Sequence, residues 1–498
     1  MKGNNKEGWT SREDIVESSH KVKVSDEVYE YGGPPLLSNG KEMCVCHGEE
    51  HSLTIGTTGC GKTRGIVMQT LISVIRAGES LVVVDVKGEL CDNCYMEAKK
   101  RGYDITVLDF RELLKSETCN PLWFPYTLYI TGDPEKVNQA MEIITDFVDS
   151  NFDLVTDDPF WVNAAKKTLV GLIEALFMVG TSDQINLFNV YYMLVKGNEK
   201  YATSIYLKEF FMVCIGEEHP AYVNMSTFLN APDVTRGGIE SVLLEGIQRF
   251  GMSEIMKDTL SHNGFDISKI TNKKTAVFII VPEESTKYHK LAGAFVSQIY
   301  QHYIRIAHDK HGGKLPRRVH FVLEEFGNLK IPEAPGMLSA ARSRNIRLHL
   351  IVQTLSQLRA HYGPDNADVI KSNCTLWYSF STNNLETLEY LSRLCGERQV
   401  KVGSGVYREP LISVAQLQRF EPRQALVRLT GKQYVTTFPD FSKYNFGERK
   451  PYKKKKRELK EVSTFDVKVY TMDVKKRKIR ECFEIPKPEG VNVEDITF

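Results

Sequence analysis

Two hydrophobic periods divide this chain. Short, mostly apolar runs recur at Ser52–Ile55, Ser80–Val86, Asp104–Asp109, Thr275–Pro282, Arg318–Leu323, Ile346–Val352 and Cys374–Phe380, and Ser80–Val86 is continuous from Leu81 to Val84. A run of strand length with no polar interruption predicts a strand covered on both faces, as in a parallel sheet. The first of them alternate with helical stretches, Thr63–Ile75 foremost, which predicts a parallel sheet with right-handed crossovers. Gln424–Thr430 and Gln433–Phe438, around Gly431, predict a closing hairpin. In the middle of the chain the period lengthens. Val137, Met141, Ile144 and Phe147 recur every three or four residues, and so do Trp161, Ala165, Leu169, Leu172 and Leu176. These stripes predict the core of an all-helical domain inserted into an α/β domain. Arg236-Gly-Gly238 breaks that pattern and predicts a loop, and Ala334–Asn345 predicts a helix ending in Arg342-Ser-Arg344. The organisation expected is an N-terminal segment (1–44), a nucleotide-binding domain in two parts (45–126 and 271–440), an inserted all-α domain (127–270) and a basic C-terminal tail (441–498).

The candidate chemistry sits at the ends of the apolar runs. After Ser52–Ile55 comes Gly56-Thr-Thr-Gly-Cys-Gly-Lys-Thr63, which fits the phosphate-loop pattern G-x-x-x-x-G-K-[ST]. The glycines let backbone N–H groups curl around phosphate oxygens, and the helix that follows presents its positive end to the same anion. Lys62 is placed to reach the β- and γ-phosphates and the Thr63 hydroxyl to hold Mg²⁺. Nucleotide contacts are therefore expected from Gly56, Thr57, Thr58, Gly59, Cys60, Gly61, Lys62, Thr63 and Arg64. The run Arg318–Leu323 ends in Glu324 and Glu325. A carboxylate pair beside a phosphate loop is what nucleotide hydrolysis needs: Glu324 to hold Mg²⁺ through water, Glu325 to orient and deprotonate the attacking water. Gln353 ends the neighbouring run, where it either contacts the γ-phosphate or bonds to backbone.

Totals add little. Lys+Arg is 64 against 63 for Asp+Glu, so the net charge of +1 selects no partner. Its distribution does: Arg449–Arg457 and Lys475–Arg480 make the end of the chain basic, either a surface for DNA phosphates or anionic lipid or a solvated tail. The cysteines are scattered, no secretory leader is read at Met1–Thr10, and no apolar run approaches the ~20 residues of a membrane span. The expectation is a cytoplasmic chain that does not itself cross a membrane.

These motifs, in this order, resemble the conjugative coupling proteins of type IV secretion, ATPases related to the FtsK and HerA DNA translocases. The resemblance covers residues 45–440. It is carried by Gly56–Thr63, Val84-Asp-Val-Lys-Gly-Glu-Leu90, Asn120-Pro-Leu122, Asp158-Pro-Phe-Trp161, Leu323-Glu-Glu-Phe-Gly-Asn-Leu329, Arg342-Ser-Arg344, Gln353-Thr-Leu-Ser-Gln-Leu358 and Tyr362-Gly363. It implies a RecA-like P-loop domain carrying an all-α domain that recognises cargo. It implies ATP and Mg²⁺ as cofactors and a homo-hexamer with ATP between subunits. A neighbouring subunit's arginine then stabilises the transition state; Arg342 aligns with that position and Arg344 is the alternative. The implied partners are DNA, single-stranded with its relaxase, and components of the secretion channel, with membrane contact made through partners. Two departures stand out: Glu324 replaces the family's more common Asp, and no membrane helix is found. A non-conjugative DNA translocase and a nucleotide-binding docking adaptor with little hydrolysis are the competing expectations.

Overall fold

The computed structural model describes residues 8–152, 158–251, 253–331, 333–402, 405–447 and 450–483. It divides into two compact units, Met1–Phe124 with Asn263–Leu459, and Pro125–His262 with the chain from Lys460 onward.

The first unit is built on a nine-stranded sheet. Its strands are β1 (His51–Ile55), β2 (Ser80–Asp85), β3 (Asp104–Asp109), β4 (Thr275–Ile280), β5 (Val319–Leu323), β6 (Ile346–Val352), β7 (Cys374–Ser379), β8 (Gln424–Leu429) and β9 (Lys432–Thr437). The spatial order is β9-β8-β7-β1-β6-β5-β2-β4-β3. Strands β7 to β3 in that order run parallel, while β8 and β9 close one edge as an antiparallel hairpin. The α/β class with a mostly parallel sheet is thus the one the apolar runs predict. β1, β2, β4, β5 and β6 are buried at every position, which is why β2 and β4 are apolar without alternation; β1, β5 and β6 bury polar side chains as well. A helix, α1 (Met68–Ala77), covers one face, with Leu71, Val74 and Ile75 packed against Leu81, Val83 and Phe278. Each such side chain contributes about 1.5–3 kcal/mol by leaving water. The parallel order gathers the carboxyl ends of β1, β2, β5 and β6 along one edge, the place where open α/β sheets bind ligands. The helix expected over Ala334–Asn345 is shorter: it ends at Ala340, a tight turn covers Arg342–Arg344, and Asn345 adopts a left-handed backbone (φ 64°).

Three buried strands of this sheet carry polar side chains joined in a chain. The Ser52 hydroxyl lies 2.8 Å from His349 Nδ1, His349 Nε2 lies 2.8 Å from His320 Nδ1, and His320 Nε2 lies 2.6 Å from Glu79 Oε2. Glu79 is a carboxylate and only accepts, so every donor must point towards it and both imidazoles are neutral in one tautomer each. Burial lowers the pKa of His320 and His349, pushes His51 down to about 3 and His302 to about 4. The unfolded chain therefore takes up these protons first. The stability they contribute is complete above pH ~6.5 and is lost as the pH falls, by about 1.4 kcal/mol per unit per site. His51→Gln is expected to flatten the loss between pH 6.5 and 5 by about 2 kcal/mol on that scale. Urea titrations at the two pH values check it, and an unchanged loss would contradict it.

The second unit is helical: α2 (Pro134–Asn151), α3 (Pro159–Val179), α4 (Pro220–Asn230), α5 (Asp233–Gly251) and α6 (Val467–Phe483) are its longer elements besides Leu187–Gly197. Asp133 and Asp158 cap α2 and α3, each followed by Pro at the first helical position. Ile144 and Phe147 of the predicted stripe are buried, as are Leu169, Leu172 and Leu176, but Val137 and Met141 are only half-buried. Arg236-Gly-Gly238 does not make a loop: α5 runs straight through it. A Cβ at Gly238 would sit 2.5 Å from Trp161 Cζ3, so this glycine allows helix and indole to meet closely.

The basic segment near the end of the chain is not uniformly a solvated tail. In the first unit the Tyr452 ring lies 4.7 Å from that of Tyr95, Tyr452 N donates to Asp92 and Lys454 pairs with Glu117. In the second, Phe465 N donates to Asn189 Oδ1 at 2.9 Å, Val467 is fully buried and α6 follows. The lysine runs conceal these apolar anchors. Lys453, Lys455 and Lys456 remain exposed. Among the described residues, no helix is long and apolar enough to cross a membrane.

Candidate functional site

The turn after β1 is shaped by its glycines. Gly59 and Gly61 have φ of 82° and 100°, and a Cβ at Gly61 would stand 2.5 Å from Arg423 Cγ. Only glycine fits that combination of left-handed backbone and close approach. The loop then enters a wide first turn, Thr63–Val67, which leads into α1. Lys62 is buried, its ammonium bonded to the Gly56 carbonyl and, at 3.1 Å, to that of Thr57; burial lowers its pKa.

β5 delivers the carboxylates to the same edge. Thr63 Oγ1 donates to Glu324 Oε1 at 2.9 Å, and Val86 N donates to Glu324 Oε2 at 3.4 Å. Glu324 is nearly buried, and desolvation with the Asp85 and Glu325 charges beside it raises its pKa. A hydroxyl and a carboxylate oxygen in contact form a hard-oxygen donor pair suited to Mg²⁺. Crowded negative charge around it favours a cation further. Glu325 stands in a left-handed backbone (φ 50°), which turns its carboxylate away from the strand direction. There Gln353 Nε2 donates to both Glu325 oxygens at 3.1 Å. Gln353 thus bonds neither to backbone through its side chain nor to Glu324; it grips Glu325. Thr57, Thr58, Gly59, Gly61, Lys62, Thr63 and Arg64 line one cavity of about 230 Å³ together with Glu324 and Glu325.

Three details were not read from the sequence. Asp85, at the end of β2, accepts from Gly88 N at 2.7 Å and Cys91 N at 2.8 Å, shaping the turn whose Lys87 and Glu89 line the cavity. The signal for it in the sequence is the acidic residue that ends the apolar run before Lys87-Gly88. Arg64 is held by Asp440 through two bonds of 2.8 Å and by Glu89 at 3.3 Å. Arg423 braces the loop, its N–H donating to the Cys60 carbonyl at 2.8 Å with φ of 67°. Arg342 lies elsewhere. It precedes β6, whereas Gln353 follows it, and seven residues at about 3.3 Å each put about 20 Å between them. Arg342 and the phosphate loop are at opposite ends of the parallel strands.

A family model described as type IV secretory system conjugative DNA transfer matches residues 2–416. Conjugal transfer protein TraG of Escherichia coli is 26% identical over 373 residues, covering 71% of this chain and 56% of TraG. Protein VirD4 of Rhizobium radiobacter is 23% identical over 395 residues, covering 79% and 54%. The chain spans a little over half the length of these relatives. Among solved structures, the bacterial conjugative coupling protein TrwBdeltaN70 superposes with a TM-score of 0.63 at 16% identity, over 89% of this chain and 93% of that one. The plasmid coupling protein TrwB in complex with ADP and Mg²⁺ gives 0.62 at 15% identity, over 90% and 95%.

Proposed function

This chain belongs to the type IV secretory system conjugative DNA transfer family, and from that premise we propose that it is an ATP-hydrolysing coupling protein that brings relaxase-bound DNA to the secretion channel and drives it in. The observation that carries the reading is the contact between Thr63 and Glu324 beside Lys62, with Glu325 held by Gln353 on the same edge.

Each residue then has a task. The loop amides and Lys62 bind the phosphates of ATP, and Lys62 offsets charge that grows on the β,γ-bridge. Thr63 and Glu324 would hold Mg²⁺, which when bound would neutralise phosphate charge. Glu325 accepts a proton from the attacking water, and Gln353 keeps its two oxygens aimed. Asp85 stiffens the turn opposite. The Glu324 side chain, one methylene longer than Asp, still meets Thr63 directly, so the longer carboxylate keeps the hydroxyl contact the site needs. Arg342, about 20 Å along β6 from the carboxyl end where its own loop lies, supports a ring in which it serves the nucleotide of a neighbouring subunit.

The test is ATP turnover by the purified chain, with and without single-stranded or duplex DNA, over rising protein concentration. DNA-stimulated turnover rising faster than linearly is expected. Tight nucleotide binding without turnover, in all conditions, would replace the motor by a docking adaptor.

A further inference from the structure

The bonds that hold Glu325 do not end at Gln353. Gln353 N donates to Gln357 Oε1 at 3.2 Å, and Gln357 Nε2 donates to Asn328 Oδ1 at 3.0 Å. Asn328 N donates in turn to the Glu325 carbonyl at 2.7 Å. The Gln353 amide on the Glu325 carboxylate, at 3.1 Å, completes a closed circuit of hydrogen bonds through four residues. The orientation of the Gln357 amide follows from its partners. A main-chain N–H only donates, so the oxygen of Gln357 faces Gln353 and its nitrogen is left for Asn328.

The circuit joins two turns that are distant in sequence. Glu325 to Asn328 leave the end of β5, and Gln353 to Gln357 leave the end of β6 and enter the helix Leu355–Tyr362. Thr354 caps that helix by accepting from Gln357 N at 3.3 Å, which fixes the Gln357 main chain and frees its side chain to cross between the turns. Gly327 permits the crossing: a Cβ there would stand 2.4 Å from Gln357 Cδ. The far end of the helix is fastened to the same turn independently, by the Tyr362 hydroxyl on the Leu329 carbonyl and by the stacked rings of Phe326 and Tyr362, 5.2 Å apart. Gln357 is therefore not needed to dock the helix. What it adds is local. It sets the separation between the main chain of Gln353, whose side chain grips the carboxylate, and the turn that keeps Glu325 left-handed at φ 50°. It does so without lining the phosphate-loop cavity.

We propose, on the reading of Glu325 as the base, that Gln357 is a positioning residue for hydrolysis: by tying the Gln353 main chain to Asn328, it fixes the Glu325 carboxylate in the position from which it takes the proton.

Gln357→Met keeps the length of the side chain and removes both of its bonds. Single-turnover hydrolysis by the full chain is expected to slow about 10–10²-fold, the cost of a misplacement on the order of 1 Å. Affinity for a fluorescent ATP analogue should stay within about threefold of normal, since the lost interaction acts on the chemical step. In a Glu325→Gln background the same substitution should slow hydrolysis by less than about threefold more, because a residue that acts through Glu325 then has nothing to position. A merely structural role would repeat its full loss there. Gly327→Ala pushes the Gln357 side chain aside without deleting it and should reproduce the slowing, so it carries the test if thermal unfolding shows Gln357→Met to be unfolded. Slowing of less than tenfold in the folded variant, a loss of nucleotide affinity beyond threefold, or a further loss of threefold or more on Glu325→Gln overturns the proposal. A normal rate for Gln357→Met beside a slow Glu325→Gln strikes the positioning role alone. Glu325→Gln within tenfold of the unmodified chain strikes the base reading, and the positioning role with it.

Discussion

The Glu325→Gln protein is expected to bind ATP as the unmodified chain does and to turn it over about 10²–10⁴-fold more slowly, the range for a lost general base. The substitution keeps size and shape, and the Gln353 amide still meets one oxygen. What disappears is the ability to take a proton. The backbone speaks for this assignment. A left-handed non-glycine residue costs on the order of 1–3 kcal/mol and persists where the surroundings enforce it. Here Glu324 N donates to Val84 O at 3.2 Å on one side, and Asn328 N donates to Glu325 O at 2.7 Å on the other. The strained residue is the one whose carboxylate Gln353 holds. Lys62→Ala makes the contrast: it should lose nucleotide affinity as well as turnover, because its ammonium acts on bound phosphate from the start. Single-turnover hydrolysis and titration with a fluorescent ATP analogue separate the two. A Glu325→Gln protein within tenfold of normal turnover would remove Glu325 from the chemistry.

The sheet was legible because buried parallel strands write themselves as continuous apolar runs, and β2 and β4 do so without a polar break at their centres. The phosphate loop was legible because few backbones need glycine at Gly61 followed by Lys-Thr. What could not be read depends on residues far apart in the chain. Arg64 lines the phosphate-loop cavity, and the Asp440 carboxylate that holds its guanidinium, 376 positions away, is invisible in the motif. Gly238 looks like a helix breaker until Trp161 fills the space beside it. Val137 and Met141 carry a core-like period, yet they are only half-buried and line a groove instead. The basic tail misled by composition: few apolar residues anchor it, and lysines outnumber them. The same limit applies to Gln353, whose position at a strand end is visible in sequence while its partner, Glu325, is not.

Arg342→Ala should lower turnover about 10³–10⁵-fold, the usual worth of an arginine supplied by a neighbour, and the loss should be repaired by mixing. The carboxyl end of β6, where its own phosphate loop lies, is about 20 Å away along the strand, beyond the reach of one side chain. A subunit lacking Arg342 therefore retains an intact phosphate loop, and a Lys62→Ala subunit retains an intact Arg342. Each protein alone is expected to be inactive. In a mixed ring, some interfaces pair a good loop with a good arginine, so activity should return and pass through a maximum near equal proportions. If Arg342 worked within its own subunit, a phosphate loop and an arginine would have to be intact in the same chain, and no mixture of the two variants would provide one. Arg344→Ala serves as the comparison: its Nη1 bonds Ser343 Oγ at 3.1 Å, and a larger loss there than for Arg342→Ala would move the role two residues along. Absence of recovery in mixtures, with both variants folded and assembled, would leave the arginine structural and the ring without shared sites.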